Sequence, residues 1–334
     1  MMLGNLDPAL RRCWLPVARS SEVGADPVKV TVLGEDWVLV RLPAGLAAYV
    51  DRCPHRFAPL SAGSVDGDVL RCGYHGWCFD EAGTCTEIPS MGSTDLRPAR
   101  ANAGTPGGLA ERHGMIFLAP DEPVTELLEV PEADDPTFDH GTLPVITATV
   151  GAALLIDNFL DMSHFPFLHA ATIGTEEATV VEDVDIERRG HGMTARSRHP
   201  FPNHEDPAVA TGERALVQHR RLVYEYRAPF SISLRIDYEE AGGTNVVDFF
   251  VQPVDAETCR IFTTIHRNDL DGDDARLAEA VSFEMKILDE DLRLQERYVD
   301  RRLPLDLTAE VHVKADRITV ELRRILAELV KETA

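Results

Sequence analysis

The segment "CPHRFAPLSAGSVDGDVLRCGYH" (53–75) carries two cysteines and two histidines in alternating order. One residue separates Cys53 from His55, and two residues separate Cys72 from His75. Two thiolates and two imidazoles suit either zinc or an iron–sulfur cluster with two Cys on one iron and two His on the other. Zinc fingers usually pair Cys with Cys and His with His, whereas each loop here offers one of each. The order therefore favours a two-iron cluster held between two hairpin loops.

The rest of the chain predicts two domains of different class. Short strands between Gly-rich turns indicate a small all-β domain at 1–120, and the Pro-rich, acidic stretch after it predicts a linker at 121–145. A second, mixed domain is expected at 146–334. Its predicted elements are a helix at 153–165, strands at 230–238, 245–251 and 259–266, and helices at 274–299 and 315–331. The fold class is therefore α+β, with an antiparallel sheet flanked by helices in a helix-grip-like arrangement.

Composition excludes several classes of protein. The 33 basic and 56 acidic residues give a net charge of −23, which disfavours binding to nucleic acid. The N-terminus lacks the apolar core of a secretory signal, and the longest apolar run, at 150–156, is far shorter than the ~20 residues of a membrane helix. We therefore expect a cytoplasmic protein without a membrane partner. Six cysteines in a chain of 334 residues do not indicate a disulfide scaffold.

A second group of metal-ligand residues lies in "NFLDMSHFPFLH" (158–169). Asn158, Asp161 and His164 are spaced by three and would form one stripe on a helix. His169 follows five residues later, and the proline between the two histidines should bend or end the helix, so that both imidazoles can reach one metal. Two His and one carboxylate on one face of iron are typical of Fe(II) oxygenases.

Together these motifs resemble the Rieske non-haem iron oxygenases, most closely the branch of short demethylases and monooxygenases that includes vanillate and dicamba demethylases. The pattern N-x2-D-x2-H-x4-H is matched without gaps, and Gly73 departs from the branch, which more often has Pro there. The resemblance implies a [2Fe–2S] Rieske cluster and a mononuclear Fe(II). The implied ligands are Cys53, His55, Cys72 and His75 for the cluster, and His164 and His169 for the iron.

The third ligand of the mononuclear iron is, by the same resemblance, an Asp on a late helix, in a segment similar to "ILDEDLRLQERY" (287–298). Three acids compete there. Asp291 shares a helical face with leucine and isoleucine side chains and is favoured. Glu290 aligns with basic residues on a face expected to be solvated. Asp289 is the second choice.

The resemblance also implies roles for two further residues. Asp161 would bridge His75 of one subunit to His164 of the next, which implies an oligomer, in this family usually a homotrimer. Asn158 would lie close to the iron. Asp161 and Asn158 are thus the candidate catalytic residues beside the ligands.

The expected function is that of a terminal oxygenase. It would pass electrons through the cluster to Fe(II) and use O2 to hydroxylate, or to O- or N-demethylate, a small aromatic or cyclic substrate. Cis-dihydroxylation of an arene, and a Rieske electron carrier without oxygenase activity, remain the alternatives. A G-x-G-x-x-G fingerprint is absent from the sequence, so a separate reductase, with or without a ferredoxin, would bring electrons from NAD(P)H.

The substrate pocket is the least determined feature. We expect the sheet between 200 and 266 and the helix of Asp291 to line it, with Phe249, His266 and Phe283 as wall residues. The stretch "RSRHPFPNH" (196–204) is interpreted as a loop, either solvated, which is favoured, or with cationic groups that meet a carboxylate.

Overall fold

The computed structural model describes residues 1–92, 97–98, 100–175 and 179–333, and it divides into two compact units. One unit is Pro8–Val124, and the other combines Met1–Asp7 with the chain from Thr125 onward. The first seven residues thus belong with the second half of the chain, because strand β1 (Met2–Leu3) pairs with a strand near residue 303. Residues 125–145, expected to be a linker, also belong to this second unit.

The unit at 8–124 is built from short antiparallel strands. They are β2 (Leu15–Arg19), β3 (Val28–Val32), β4 (Glu35–Leu42), β5 (Gly45–Val50), β6 (Ser64–Asp66), β7 (Val69–Arg71), β8 (Cys78–Phe79), β9 (Cys85–Glu87), β10 (Gly108–Arg112) and β11 (Met115–Ala119). Three sheets result, with the orders β10-β11-β2, β3-β4-β5 and β6-β7-β8-β9.

The core of this unit explains how the two Cys/His loops are anchored. Alternate residues of β4, among them Val38 and Val40, point into one apolar cluster, as period-two patterning requires. Cys53, Cys72 and Trp77 belong to that cluster. Each loop is therefore fixed by an inward-pointing cysteine at its base.

The second unit contains one large antiparallel sheet. Its strands are β12 (Asp139–Thr142), β13 (Ile146–Ala148), β14 (Asp185–Arg189), β15 (Gly192–Pro202), β16 (Val217–Arg227), β17 (Ser231–Tyr238), β18 (Thr244–Pro253) and β19 (Cys259–Arg267), and the separate β20 (Leu303–Pro304) is the partner of β1. The order is β12-β19-β18-β17-β16-β15-β14, and β13 also pairs with β19. Residues 196–202, predicted to be loop, lie within β15. Alternating side chains on β17, among them Ile232 and Ile236, are buried, as its period of two predicted.

Five α-helices belong to the described part of this unit. They are α1 (Ala152–Leu160), α2 (Phe165–Leu168), α3 (Pro207–Ala210), α4 (Asp274–Gln295) and α5 (Arg317–Thr333). Side chains of α1 and α4 face the large sheet across a cavity. The α+β fold class is therefore confirmed. None of the helices in the described ranges has the length and apolar composition needed to cross a membrane.

Candidate metal centres and substrate cavity

The two Cys/His loops of the all-β unit have the same backbone hydrogen bonding. The N–H groups of Cys53 and Cys72 donate to the carbonyl oxygens five residues later, at 2.8 Å in both loops. Their carbonyls accept from the N–H groups of Phe57 and Gly76, at 2.9 and 3.0 Å. Both of these residues have positive φ, 61° and 73°, a conformation that glycine adopts freely and phenylalanine rarely. The two loops thus present their ligands in equivalent ways despite the different Cys–His spacing.

The candidate ligand residues of the two loops lie close together. The rings of His55 and His75 lie 4.5 Å apart, and His55 stacks on Trp77 at 4.7 Å. Gly73 brings the loops together, since a Cβ there would lie 2.6 Å from the carbonyl oxygen of Ala62. A proline at position 73 of this chain would therefore require the backbone at Ala62 to move.

The electrostatics of the loops fit a cluster. Burial raises the pKa of Cys53 to about 11, although backbone N–H groups of His55 and Arg56 donate to its sulfur. The buried Cys53 thiol would therefore lose its proton only if a cation nearby compensated the charge of the thiolate, and Cys72 is buried beside it. Nδ1 of His55 is buried without a hydrogen-bond partner among the described residues. An unpartnered imidazole nitrogen beside two buried thiols is the donor set that a Cys2His2 two-iron cluster uses.

The second site lies where the helical segment breaks. Helix α1 ends at Leu160, and Asp161 is already extended, with φ −86° and ψ 128°. The break therefore comes earlier than the predicted one at Pro166, which instead lies in the first turn of α2, where a missing N–H costs no hydrogen bond. The predicted helical stripe of Asn158, Asp161 and His164 is wrong, because only Asn158 is on the helix.

Three ligand atoms meet at one point beside this break. Nε2 of His164 lies 3.1 Å from Nε2 of His169, and Oδ1 of Asp291 lies 3.6 and 3.2 Å from these two nitrogens. Ligands bonded at about 2.1 Å and at right angles are separated by about 3.0 Å. The three edges therefore match one face of a coordinated metal ion.

The other nitrogen of each imidazole faces a carboxylate. Nδ1 of His169 donates to Oε2 of Glu290 at 2.8 Å, and Nδ1 of His164 to Oδ2 of Asp161 at 3.2 Å. These acceptors place the protons on Nδ1 and leave the lone pairs of both Nε2 atoms directed at each other. Such an arrangement is repulsive unless a proton or a metal ion lies between the nitrogens, and with the carboxylate of Asp291 beside them the residues fit a divalent metal.

The three acids of α4 that compete for the third ligand position, at 289–291, have different surroundings. Asp289 is 55% exposed and forms an ion pair with Arg293, whereas Asp291 is 14% exposed and lies at the triad. Glu290 was expected on a solvated face, but it is only 15% exposed and also accepts from the hydroxyl of Thr172 at 2.9 Å. The reason is that one face of α4 lines the cavity and a second face packs against the turn after α2. Periodicity alone reveals one buried face, so it could not detect the second.

Glu290 orients a candidate ligand, so replacing it should weaken metal binding. We expect Glu290→Gln to lower the affinity for Fe(II) by about 10- to 100-fold, since loss of a carboxylate partner of a metal-bound His has that cost. Equilibrium dialysis against a chelator measures the affinity for the mononuclear iron. Glu279→Gln, at an exposed position of the same helix, is the control. Equal affinities in both variants would contradict the assigned role.

Asn158 and Asp161 both contact the triad. Nδ2 of Asn158 donates to Oδ1 of Asp291 at 3.2 Å and so helps to orient that carboxylate. Burial disfavours the charged form of Asp161, but hydrogen bonds from His164 and from the backbone N–H of Ser163 outweigh burial and lower its pKa. Asp161 therefore stays ionised beside His164, and its side chain keeps 29% exposure.

A cavity opens beside the triad, between α1, α4 and the large sheet. Phe249 and Phe283 lie in its wall, and Phe249 stacks on Phe159 of α1 at 4.7 Å. Most of the wall is apolar, with Leu222, Ile236, Val247, Ile287 and Leu288 as examples. The shape and composition suit a small organic molecule.

The prediction that His266 lies in the cavity wall is wrong. Phe249 and Thr263 line the cavity, and because side chains alternate, Asp248 and His266 lie on the other face of the sheet. There Nε2 of His266 contacts Oδ2 of Asp248 at 2.8 Å, and its Nδ1 contacts Nδ1 of His140 at 2.7 Å.

Comparison with known proteins gives matches to two family models and to proteins that span nearly the whole chain. Residues 149–332 match the vanillate O-demethylase oxygenase C-terminal domain, and residues 13–100 match the Rieske [2Fe-2S] domain. The methylxanthine N3-demethylase NdmB of Pseudomonas putida is 32% identical over 96% of this chain and 89% of its own.

Solved structures show the same fold. The structure of Pseudomonas putida CBB5 NdmA with caffeine superposes with a TM-score of 0.84 and 27% identity, covering 98% of this chain and 93% of that one. Dicamba monooxygenase bound to 3,6-dichlorosalicylic acid superposes with a TM-score of 0.81 at 22% identity, covering 97% and 98% of the two chains. At that identity the second match supports the fold alone.

Proposed function

The chain belongs to the vanillate O-demethylase family of Rieske-type oxygenases, and from this premise we propose which reaction its two sites perform. The protein is a terminal oxygenase that hydroxylates, or O- or N-demethylates, a small aromatic or cyclic compound. The observation that carries the proposal is the triangle of His164, His169 and Asp291 beside an apolar cavity. Relatives that demethylate methylxanthines support the demethylase branch of the reaction.

Different residues of the chain would form the two metal sites. Cys53, His55, Cys72 and His75 would hold the cluster, and His164, His169 and Asp291 the mononuclear iron. When bound, the cluster supplies single electrons and the iron supplies O2 activation. Glu290 and Asp161 keep the two imidazoles oriented, with their protons on Nδ1.

Electrons pass between subunits in this proposal. His75 is exposed in its own unit, and Asp161 retains an exposed edge while its Oδ2 accepts from His164. Asp161 can therefore accept a hydrogen bond from His75 of a neighbouring chain and link it to His164. We propose a homotrimer on this basis, located in the cytoplasm and supplied by a separate NAD(P)H-dependent reductase, with or without a ferredoxin.

Metal analysis followed by an oxygen assay tests the function. Freshly purified protein should contain about three iron and two acid-labile sulfide per chain, for one cluster and one mononuclear site. With a reductase, O2 consumption should then depend on an organic substrate, and formaldehyde release would distinguish demethylation from hydroxylation. Two iron and two sulfide with no gain of activity on adding Fe(II) would contradict the oxygenase and favour an electron carrier. Zinc without sulfide would contradict both.

A further inference from the structure

One end of the cavity is polar, in contrast to its apolar body. The register places Arg220 of β16 opposite Tyr238 of β17, and Asn245 of β18 opposite Arg267 of β19. Glu284 of α4 lies at the same end and accepts from Asn245 at 3.3 Å. Glu284 precedes Asp291 by seven residues, two helical turns or about 10 Å. The polar end is therefore separated from the metal triad by roughly the length of a small ring compound.

Arg220 differs from the other buried arginines of the described chain. Arg220, Arg267 and Arg323 are each about 4% exposed. Arg267 is paired with Asp269 at 2.8 Å and Glu205 at 3.1 Å, and Arg323 is paired with Asp157 and Glu310. Within the described residues no carboxylate lies within 4.0 Å of the Arg220 guanidinium, and its Nε has no hydrogen-bond partner. A buried cation without a counter-ion is costly unless a ligand supplies one.

Aromatic rings stabilise the Arg220 cation through cation–π contacts but do not neutralise its charge. The ring of Phe201 lies 4.8 Å from the guanidinium carbon and that of Phe165 lies 5.7 Å away. Glu284 is the carboxyl whose charge acts on Arg220, but burial raises its pKa to about 7, so much of it is neutral at physiological pH. His199, the partner of Arg220 across the strands, stays neutral because burial lowers its pKa to about 4.

We propose that Arg220 binds a carboxylate of the substrate, so that the enzyme acts on aromatic or cyclic acids. A planar guanidinium matches a carboxylate with two parallel hydrogen bonds, whereas a neutral carbonyl would leave the positive charge uncompensated. Phe165 lies near both sites, 5.7 Å from the guanidinium carbon and 6.1 Å from the His169 ring. A ring anchored at Arg220 would extend along the apolar wall and present its far substituent to the triad. The inference rests on the proposed function, since it names the substrate class of that site.

Binding of matched acid and amide probes tests the inference without turnover. The pairs are benzoate and benzamide, phenylacetate and phenylacetamide, and cyclohexanecarboxylate and its carboxamide, titrated calorimetrically into the purified full chain without reductant. We expect the wild-type protein to bind the acid of at least one pair more tightly by about 10- to 100-fold, the range for a hydrogen-bonded charged group. Equal affinities within every pair, or no binding of any acid at millimolar concentration, would overturn the proposal.

Two variants test whether Arg220 causes the preference for the acid over the amide. Arg220→Gln should lose the preference for the acid, and Arg221→Gln should keep it, because Arg221 is the next residue of the same strand and its side chain is 66% exposed. If Arg220→Gln does not fold, Arg220→Lys retains the charge and should keep a reduced preference. A full preference in Arg220→Gln would refute the assignment. Failure of the oxygenase proposal is seen separately, as missing mononuclear iron or absent O2 uptake, because these titrations need neither.

Discussion

Asp291→Ala is expected to abolish substrate-dependent O2 consumption while leaving the Rieske cluster intact. The carboxylate of Asp291 provides one corner of the ligand triangle with His164 and His169. Losing an outer partner of a metal ligand costs 10- to 100-fold, so losing the ligand itself should lower activity by more than about 100-fold. Purified Asp291→Ala should contain about two iron and two sulfide per chain, with an unchanged visible spectrum.

Asp289→Ala is the matched control for this variant. Asp289 lies on the same helix two residues earlier, but its carboxylate is exposed and pairs only with Arg293 among the described residues. We expect metal content and turnover within about twofold of the wild-type values, as for most exposed substitutions. If Asp289→Ala lost the mononuclear iron and Asp291→Ala retained it, the assignment of the third ligand would be wrong.

When Fe(II) is supplied in excess to offset weaker binding at His164, Asp161→Asn is expected to keep both metal sites filled and to lower turnover by about 100-fold or more. The amide has nearly the shape of the carboxylate, but it lacks the charge that accepts an imidazole N–H on each side. In the structure Oδ2 of Asp161 accepts from His164, and its Oδ1 accepts from the backbone N–H of Ser163. The proposed link to His75 of a neighbouring chain would be weakened without the removal of any ligand.

The rate at which the reduced cluster is reoxidised separates this role from a structural one. In stopped-flow experiments with O2 and substrate, the cluster of wild-type protein should be reoxidised rapidly, and that of Asp161→Asn slowly. Iron and sulfide content after incubation with excess Fe(II), and the melting temperature, serve as controls, and all three should match the wild type. Normal reoxidation in the variant would mean that electrons follow another route.

Local spacing was enough to identify most of the candidate ligands. Cys53, His55, Cys72 and His75 lie in two short loops, and each loop is closed by hydrogen bonds between residues four or five apart. Interactions of such short range are encoded by the local sequence, including the positions that require positive φ. His164 and His169 are likewise only five residues apart, so their meeting depended on one break in a helix.

Contacts between residues far apart in the sequence were harder to predict. Glu290 reaches His169 across 121 residues, and which side of α4 it occupies depends on the turn that packs there. His266 alternates with cavity residues, but which face of β19 borders the cavity is decided by where the helices lie. Periodicity predicts which face of a helix or strand is buried, but it does not predict which element packs on that face.

The family, the fold class and the chemical types of both candidate metal sites could be predicted from the sequence, because they follow from short motifs and period-two or helical patterning. The acid of α4 that completes the triangle, and the lack of a counter-ion for Arg220 among the described residues, became visible in the folded chain. The alternation of "QHRRLVYEY" (218–226) already places Arg220 on the same face as Leu222 and Tyr224. Whether a buried charge is paired, however, depends on residues far away in the chain, and folding alone brings them together or keeps them apart.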